Sequence, residues 1–142
     1  MANSKSIGVA FLDQDIVGAD TLSAGTVYAT GEIGYSAAGQ GTVTQATSKS
    51  TGVTLNKSAG QITMNGAALA GATAVSFTLT NSTISAKDVI ILTIGSGATA
   101  TAYTAYVSSM AAGSAVITLR NLTAATSYSE AVVINYAIIH CA

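Results

Sequence analysis

At 142 residues the chain can enclose one hydrophobic core but not two. Only 8% of the residues are charged, 49% are hydrophobic and the net charge is −1, which excludes compositional disorder and a basic surface that would neutralise nucleic-acid phosphates. No run of ~18 apolar residues is present, so no segment reads as a membrane span, and even residues 131–139 are too short.

At the N-terminal end, Met1-Ala2-Asn3-Ser4-Lys5 carries one early positive charge. Asp13, Asp15 and Asp20 then interrupt any apolar stretch, so no secretory signal is expected. Asp13-Gln14-Asp15 with Asp20 could offer hard oxygen ligands to calcium. It lacks the turn glycine and the terminal bidentate Glu of an EF-hand loop, and a solvated or partner-facing acidic segment is the expectation. Glycines at 8, 18, 25, 31, 34, 39 and 41 separate short apolar groups without a sustained period. Residues 1–42 are therefore expected to form an extended N-terminal arm with one or two short strands, one over 26–30, and a flexible connector over 36–41.

From Val43 onward the pattern is that of strands. Val53 and Leu55 alternate with polar or small residues, as do Ile62 and Met64. Val75, Phe77 and Leu79 alternate with Ser76, Thr78 and Thr80 in the clearest period-two run of the chain. Residues 89–94 (Val-Ile-Ile-Leu-Thr-Ile) are apolar on both faces and predict a central strand covered on each side. Gly95-Ser96-Gly97 reads as a turn, since no Lys-Ser/Thr follows to make it a phosphate loop. Further strands are predicted around Tyr103, Ala105 and Val107, over 115–120 and over 131–139, with Asn65-Gly66 and Gly113 as turns. Ala67-Ala68-Leu69-Ala70 could make one helical turn. The fold class expected is all-β: an antiparallel β-sandwich or jelly-roll-like domain over residues 43–142. One internal echo stands out, because residues 76–83 and residues 116–123 each run from a strand into an Asn-x-Thr. It marks equivalent strands in the two halves of a sandwich, or arises by chance in a β-rich chain.

Chemistry is sparse. His140 is the sole imidazole, so nucleophilic catalysis uses it or nothing. Its neighbour Cys141 would lie on the opposite face of a strand and makes a poor partner; a strand-end histidine and a terminal thiol are expected. Cys141 is the only cysteine, which leaves no internal disulfide. No CxxC, HxxxH or HExxH spacing exists, and Glu32 and Glu130 have no sequence reason to meet as a carboxylate pair. The tyrosines at 28, 35, 103, 106, 128 and 136 read as core and interface residues, since a sugar platform without tryptophan is weak. The sequons at Asn81 and Asn121 carry no meaning for glycosylation in a chain without an export signal. No catalytic residue, cofactor site or metal site is assigned, and no enzymatic activity is expected.

Residues 44–56, 60–64, 75–82, 117–121 and 129–137, taken as an ordered set, resemble a module of bacteriophage and cyanophage virion structural proteins, among them head decoration proteins. The resemblance covers about two thirds of the chain, from Thr44 to Ile139, and omits the first forty or so residues. It implies a β-sandwich or jelly-roll-like domain and a role on the virion, made in the host cytoplasm, with homotrimers at capsid symmetry positions. The function expected is a capsid decoration (cement) protein that binds the outer shell as an oligomer. Its partners would be the major capsid protein and itself, with no nucleic acid and no membrane. The alternative is a tail or fibre receptor-binding module that recognises host surface glycans.

Overall fold

The period-two runs form eight strands in a computed structural model that describes residue 23 and residues 25–141. They are β1 (Gln40–Thr44), β2 (Val53–Thr54), β3 (Ala59–Thr63), β4 (Ala74–Thr80), β5 (Val89–Ser96), β6 (Tyr103–Ala111), β7 (Ser114–Asn121) and β8 (Val133–Ile139). The chain divides into two compact units, Met1–Ile33 and Gly34–Ala142, and all eight strands belong to the second. Most of the first unit, including Asp13, Asp15 and Asp20, lies outside the described residues. Residues 26–30 form no strand, and residues 37–39 of the expected connector form a 3₁₀ turn that leads straight into β1. The first strand thus straddles the boundary expected at residues 42 and 43.

The strands form two mixed four-stranded sheets, ordered β1-β3-β8-β5 and β2-β4-β7-β6. From β1 to β6 the chain changes sheet at every connection, and only β6 and β7 are joined as a hairpin within one sheet. The strand that intervenes between β1 and β3, or between β2 and β4, lies in the other sheet, so these pairs are joined by crossovers and not by hairpins. The pairs β1/β3 and β2/β4 are parallel, which corrects the purely antiparallel expectation, while the other four pairings are antiparallel. Residues 67–70, which could have made one helical turn, form none; Leu69 instead bridges to Tyr128. Among the described residues no helix is long and apolar enough to cross a membrane.

The inward residues of both sheets share one core, a sandwich-like arrangement. The middle strands supply its centre: Ile134, Tyr136 and Ile138 from β8, and Ala115, Ile117 and Leu119 from β7. Ile62, Met64, Phe77 and Leu79 pack against them. Burying each such side chain contributes about 1.5–3 kcal/mol relative to exposure.

Two asparagines close the paired central strands of the second sheet. Asn81 and Asn121 are both wholly buried. In each case Oδ1 accepts the N–H and the hydroxyl of the threonine two residues on, Thr83 or Thr123. The Asn81 amide donates to Lys57 O, and that of Asn121 donates to Leu69 O and Thr126 O. The sequence echo therefore has a physical basis, although β4 and β7 are neighbours in one sheet and not counterparts in two. Their Asn side chains serve as internal caps for the turns that follow.

The strand expected to be central is an edge. β5 pairs only with β8, and its outward residues Val89 and Ile91 are about half exposed. Its apolar inner face is covered by the core, through Ile90, Leu92 and Ile94. Glycine ends this strand for steric reasons. A Cβ at Gly97, where φ is +68°, would lie 2.3 Å from Ala131 O, and one at Gly95 would lie 2.6 Å from the Asn135 amide nitrogen.

Candidate functional site

The one histidine sits where three strands of the first sheet end together. Asp88 precedes β5, His140 follows β8 and Ser58 precedes β3. Asp88 is the organiser, with a side chain only 1% exposed. Its carboxylate accepts the Ser85 N–H (2.8 Å), the Ser85 hydroxyl (2.7 Å), the Cys141 N–H (3.0 Å) and His140 Nδ1 (2.9 Å). The two Ser85 bonds hold the Asp88 carboxyl far below the usual carboxylate range; burial opposes them, and Cys141 and His140 add to them. An ionised Asp88 only accepts, so Nδ1 carries the proton, and in neutral His140 Nε2 is left as an acceptor. Ser58 Oγ lies 3.5 Å from that Nε2.

Serine, histidine and aspartate thus stand in the order of a nucleophile, its base and the base's orienting acid. Two features weaken them as a hydrolytic centre. The Ser58–His140 contact is at the limit of a hydrogen bond, and nearby N–H groups that could hold an oxyanion are engaged: Ile138 N–H with Ser58 O, and Cys141 N–H with Asp88. What the geometry does do is tie the end of β8 to the start of β5. Cys141 is exposed, and its Sγ contacts Ile139 O and not His140.

The remaining polar groups are structural. Lys49, 3% exposed, donates from Nζ to the backbone oxygens of Asn65 and Glu130, and burial lowers its pKa while Glu130 opposes that shift. Gln45, also buried, bonds Lys49 O, Thr51 O and Asn65 N–H. The Glu130 carboxylate is taken up by the Thr99 hydroxyl (2.6 Å) and N–H (3.1 Å), which lower its pKa. Tyr103 and Tyr128 pack with ring centroids 6.0 Å apart, and burial pushes the Tyr103 phenol up to about 12. Tyr136 is buried and donates to Lys57 O at 2.9 Å. Gly95 and Ser96 belong to the end of β5 and make no phosphate loop. Among the described residues no three His, Cys, Asp or Glu side chains are grouped to hold a metal.

The outer face of the β1-β3-β8-β5 sheet is a different kind of surface. Arg120, on β7 of the other sheet, is the only charged residue in any of the eight strands. Register places Val89 opposite Ile139 and Ile91 opposite Ala137. Val89, Ile91 and Ile139 are each about half exposed among the described residues, which makes an apolar corner at the β5 end of the sheet. Beside it, toward β1, is a groove of about 590 Å³ lined by Gln40, Thr42, Gln61 and Asn135, with Gly41 and Gly60 in its floor. A Cβ on Gly60 would lie 2.5 Å from Gly41 O, so only glycine lets β1 and β3 approach this closely. On the outer face of the second sheet the hydroxyls of Ser76, Thr118 and Ser108 bond in a row across three strands, and Tyr106, opposite Thr118, is about half exposed.

No protein-family model, curated protein or solved structure matches this chain.

Proposed function

We propose that this chain is a capsid decoration (cement) protein that stabilises a bacteriophage head by binding the outer shell as an oligomer, with the major capsid protein and further copies of itself as partners. The observation that carries this reading is the lack of charge on the strand surfaces, where Arg120 stands alone. Net charge near zero gives a free monomer little protection against association, and a protein whose faces are covered on a larger particle has no need of that protection. The resemblance of residues 44–139 to phage virion modules supports the same reading. A homotrimer seated at capsid symmetry positions is the assembly that resemblance implies.

The test is reconstitution on heads that lack the chain. Purified protein should co-sediment with expanded heads and raise the temperature at which they break open. Absence of binding to heads, with binding to host cells or to tails, would move the chain to the receptor-binding alternative.

A further inference from the structure

We propose that Asn65 deamidates spontaneously through Gly66, and that Lys49 steers the product toward isoaspartate. Asn65-Gly66 is the one Asn-Gly step in the chain. Glycine leaves the main-chain nitrogen least obstructed for attack on the preceding side-chain amide, because no Cβ stands beside it. The structure keeps that step open: Gly66 is exposed, and a Cβ there would meet nothing within 4 Å. The other asparagines of the sandwich are all followed by residues with side chains, and Asn81 and Asn121 are wholly buried.

The surroundings of Asn65 bear on both halves of the reaction. In the first, the Gly66 nitrogen gives up its proton to solvent and bonds to Asn65 Cγ. The Cγ–Nδ2 bond then breaks, and that nitrogen leaves as ammonia from a closed succinimide ring. Negative charge develops on Oδ1 during the attack, and Oδ1 already accepts the Ala67 N–H at 2.9 Å. The opposing bond, from Nδ2 to Ala46 O at 3.1 Å, is exposed and can be replaced by water. In the second half, water adds to one of the two ring carbonyls. Opening at Cγ gives aspartate. Opening at the former main-chain carbonyl gives isoaspartate and turns that carbonyl into a free carboxylate. One water is taken up and one ammonia lost, with no other reactant.

Lys49 distinguishes the two carbonyls. Its buried ammonium donates to the main-chain oxygen of Asn65, and its other acceptor among the described residues is Glu130 O, also a main-chain carbonyl. A cation on the Asn65 oxygen polarises that carbonyl toward water, and exchanges a carbonyl partner for a carboxylate when the ring opens there. Isoaspartate also adds a carbon to the main chain where Gln45 Oε1 and Lys49 hold it, and so loosens this clamp.

The full chain, held folded in mildly alkaline buffer and then digested with trypsin, tests this. The peptide from Ser58 to Lys87 carries Asn65. Asn65 should gain the mass of an NH-to-O exchange, with a higher isoaspartate-to-aspartate ratio than the same synthetic peptide aged free in that buffer. Gly66→Ala should slow the gain by about tenfold or more. Lys49→Met should bring the ratio down to that of the free peptide; Lys49→Gln, which keeps a donor without the charge, should lower it too and serves if Lys49→Met fails to fold. An Asn65 still intact in the folded chain after the free peptide has converted overturns the proposal. So does conversion at the free-peptide ratio, which would leave Lys49 no part in it.

Discussion

Asn81 and Asn121 show how much one buried side chain can hold. Each joins the turn that follows its strand to a carbonyl of a distant segment, and each is completely enclosed. Replacing either with Ala takes the acceptor from the N–H of Thr83 or Thr123, at about 1–3 kcal/mol, while the carbonyls keep other donors: Tyr136 on Lys57 O, the Tyr128 N–H on Leu69 O and the Thr123 hydroxyl on Thr126 O. Asn81→Ala and Asn121→Ala should each lower stability by about 1–3 kcal/mol, read from urea unfolding midpoints at constant slope. A loss under 0.5 kcal/mol would mean that water takes over the role. The repeated Asn-x-Thr was visible in the sequence, but its role was not, because a sequon reads the same whether its amide faces solvent or a carbonyl.

Asp88 sets the acid limit. Its folded pKa lies below the unfolded value of ~3.9, so its contribution to stability is fully present above that value and is lost as pH falls through the folded pKa. Thermal stability should therefore decline below about pH 4 in the wild type. Asp88→Asn should be less stable than wild type at neutral pH, and the gap should narrow as the pH falls from about 4 toward 2, within the range of scanning calorimetry. A gap independent of pH would assign the effect to lost packing. Ser58, Asp88 and His140 could not have been joined from the sequence, because they are spread over 82 residues and meet only when β3, β8 and β5 are neighbours.

At the scale of the element, period-two alternation located β4, β7 and β8, where one face meets the core and the other does not. It could not show which strands pair, and the parallel β1/β3 and β2/β4 pairs follow from repeated crossing between sheets. Nor could it place β5, whose apolar residues on both faces read as a central strand although it is an edge with Val89 and Ile91 half exposed. The strand ends depend on glycine for reasons that differ from site to site. Gly97→Ala should cost about 2–4 kcal/mol, because both its positive φ and the approach of Ala131 O forbid a side chain. Gly66→Ala, with nothing within 4 Å, should change stability by no more than about 0.5 kcal/mol. Paired melts of the two variants check this; equal losses would mean that the end of β5 relaxes freely.

For the whole molecule, the division at Ile33 and Gly34 predicts that a chain starting at Gly34 folds cooperatively by itself. It keeps Tyr35, whose hydroxyl donates to Ile138 O, and Gln40, which opens β1. A chain starting at residue 41 loses both and should melt at a lower temperature. Beyond folding, the central claim is a place on a particle. A cryo-EM map of the virion carrying this chain tests it most directly. The account predicts two-sheet density on the outside of the head, repeated on the capsid lattice and touching the major capsid protein. Density confined to the tail or its fibres, with a bare head, would contradict it.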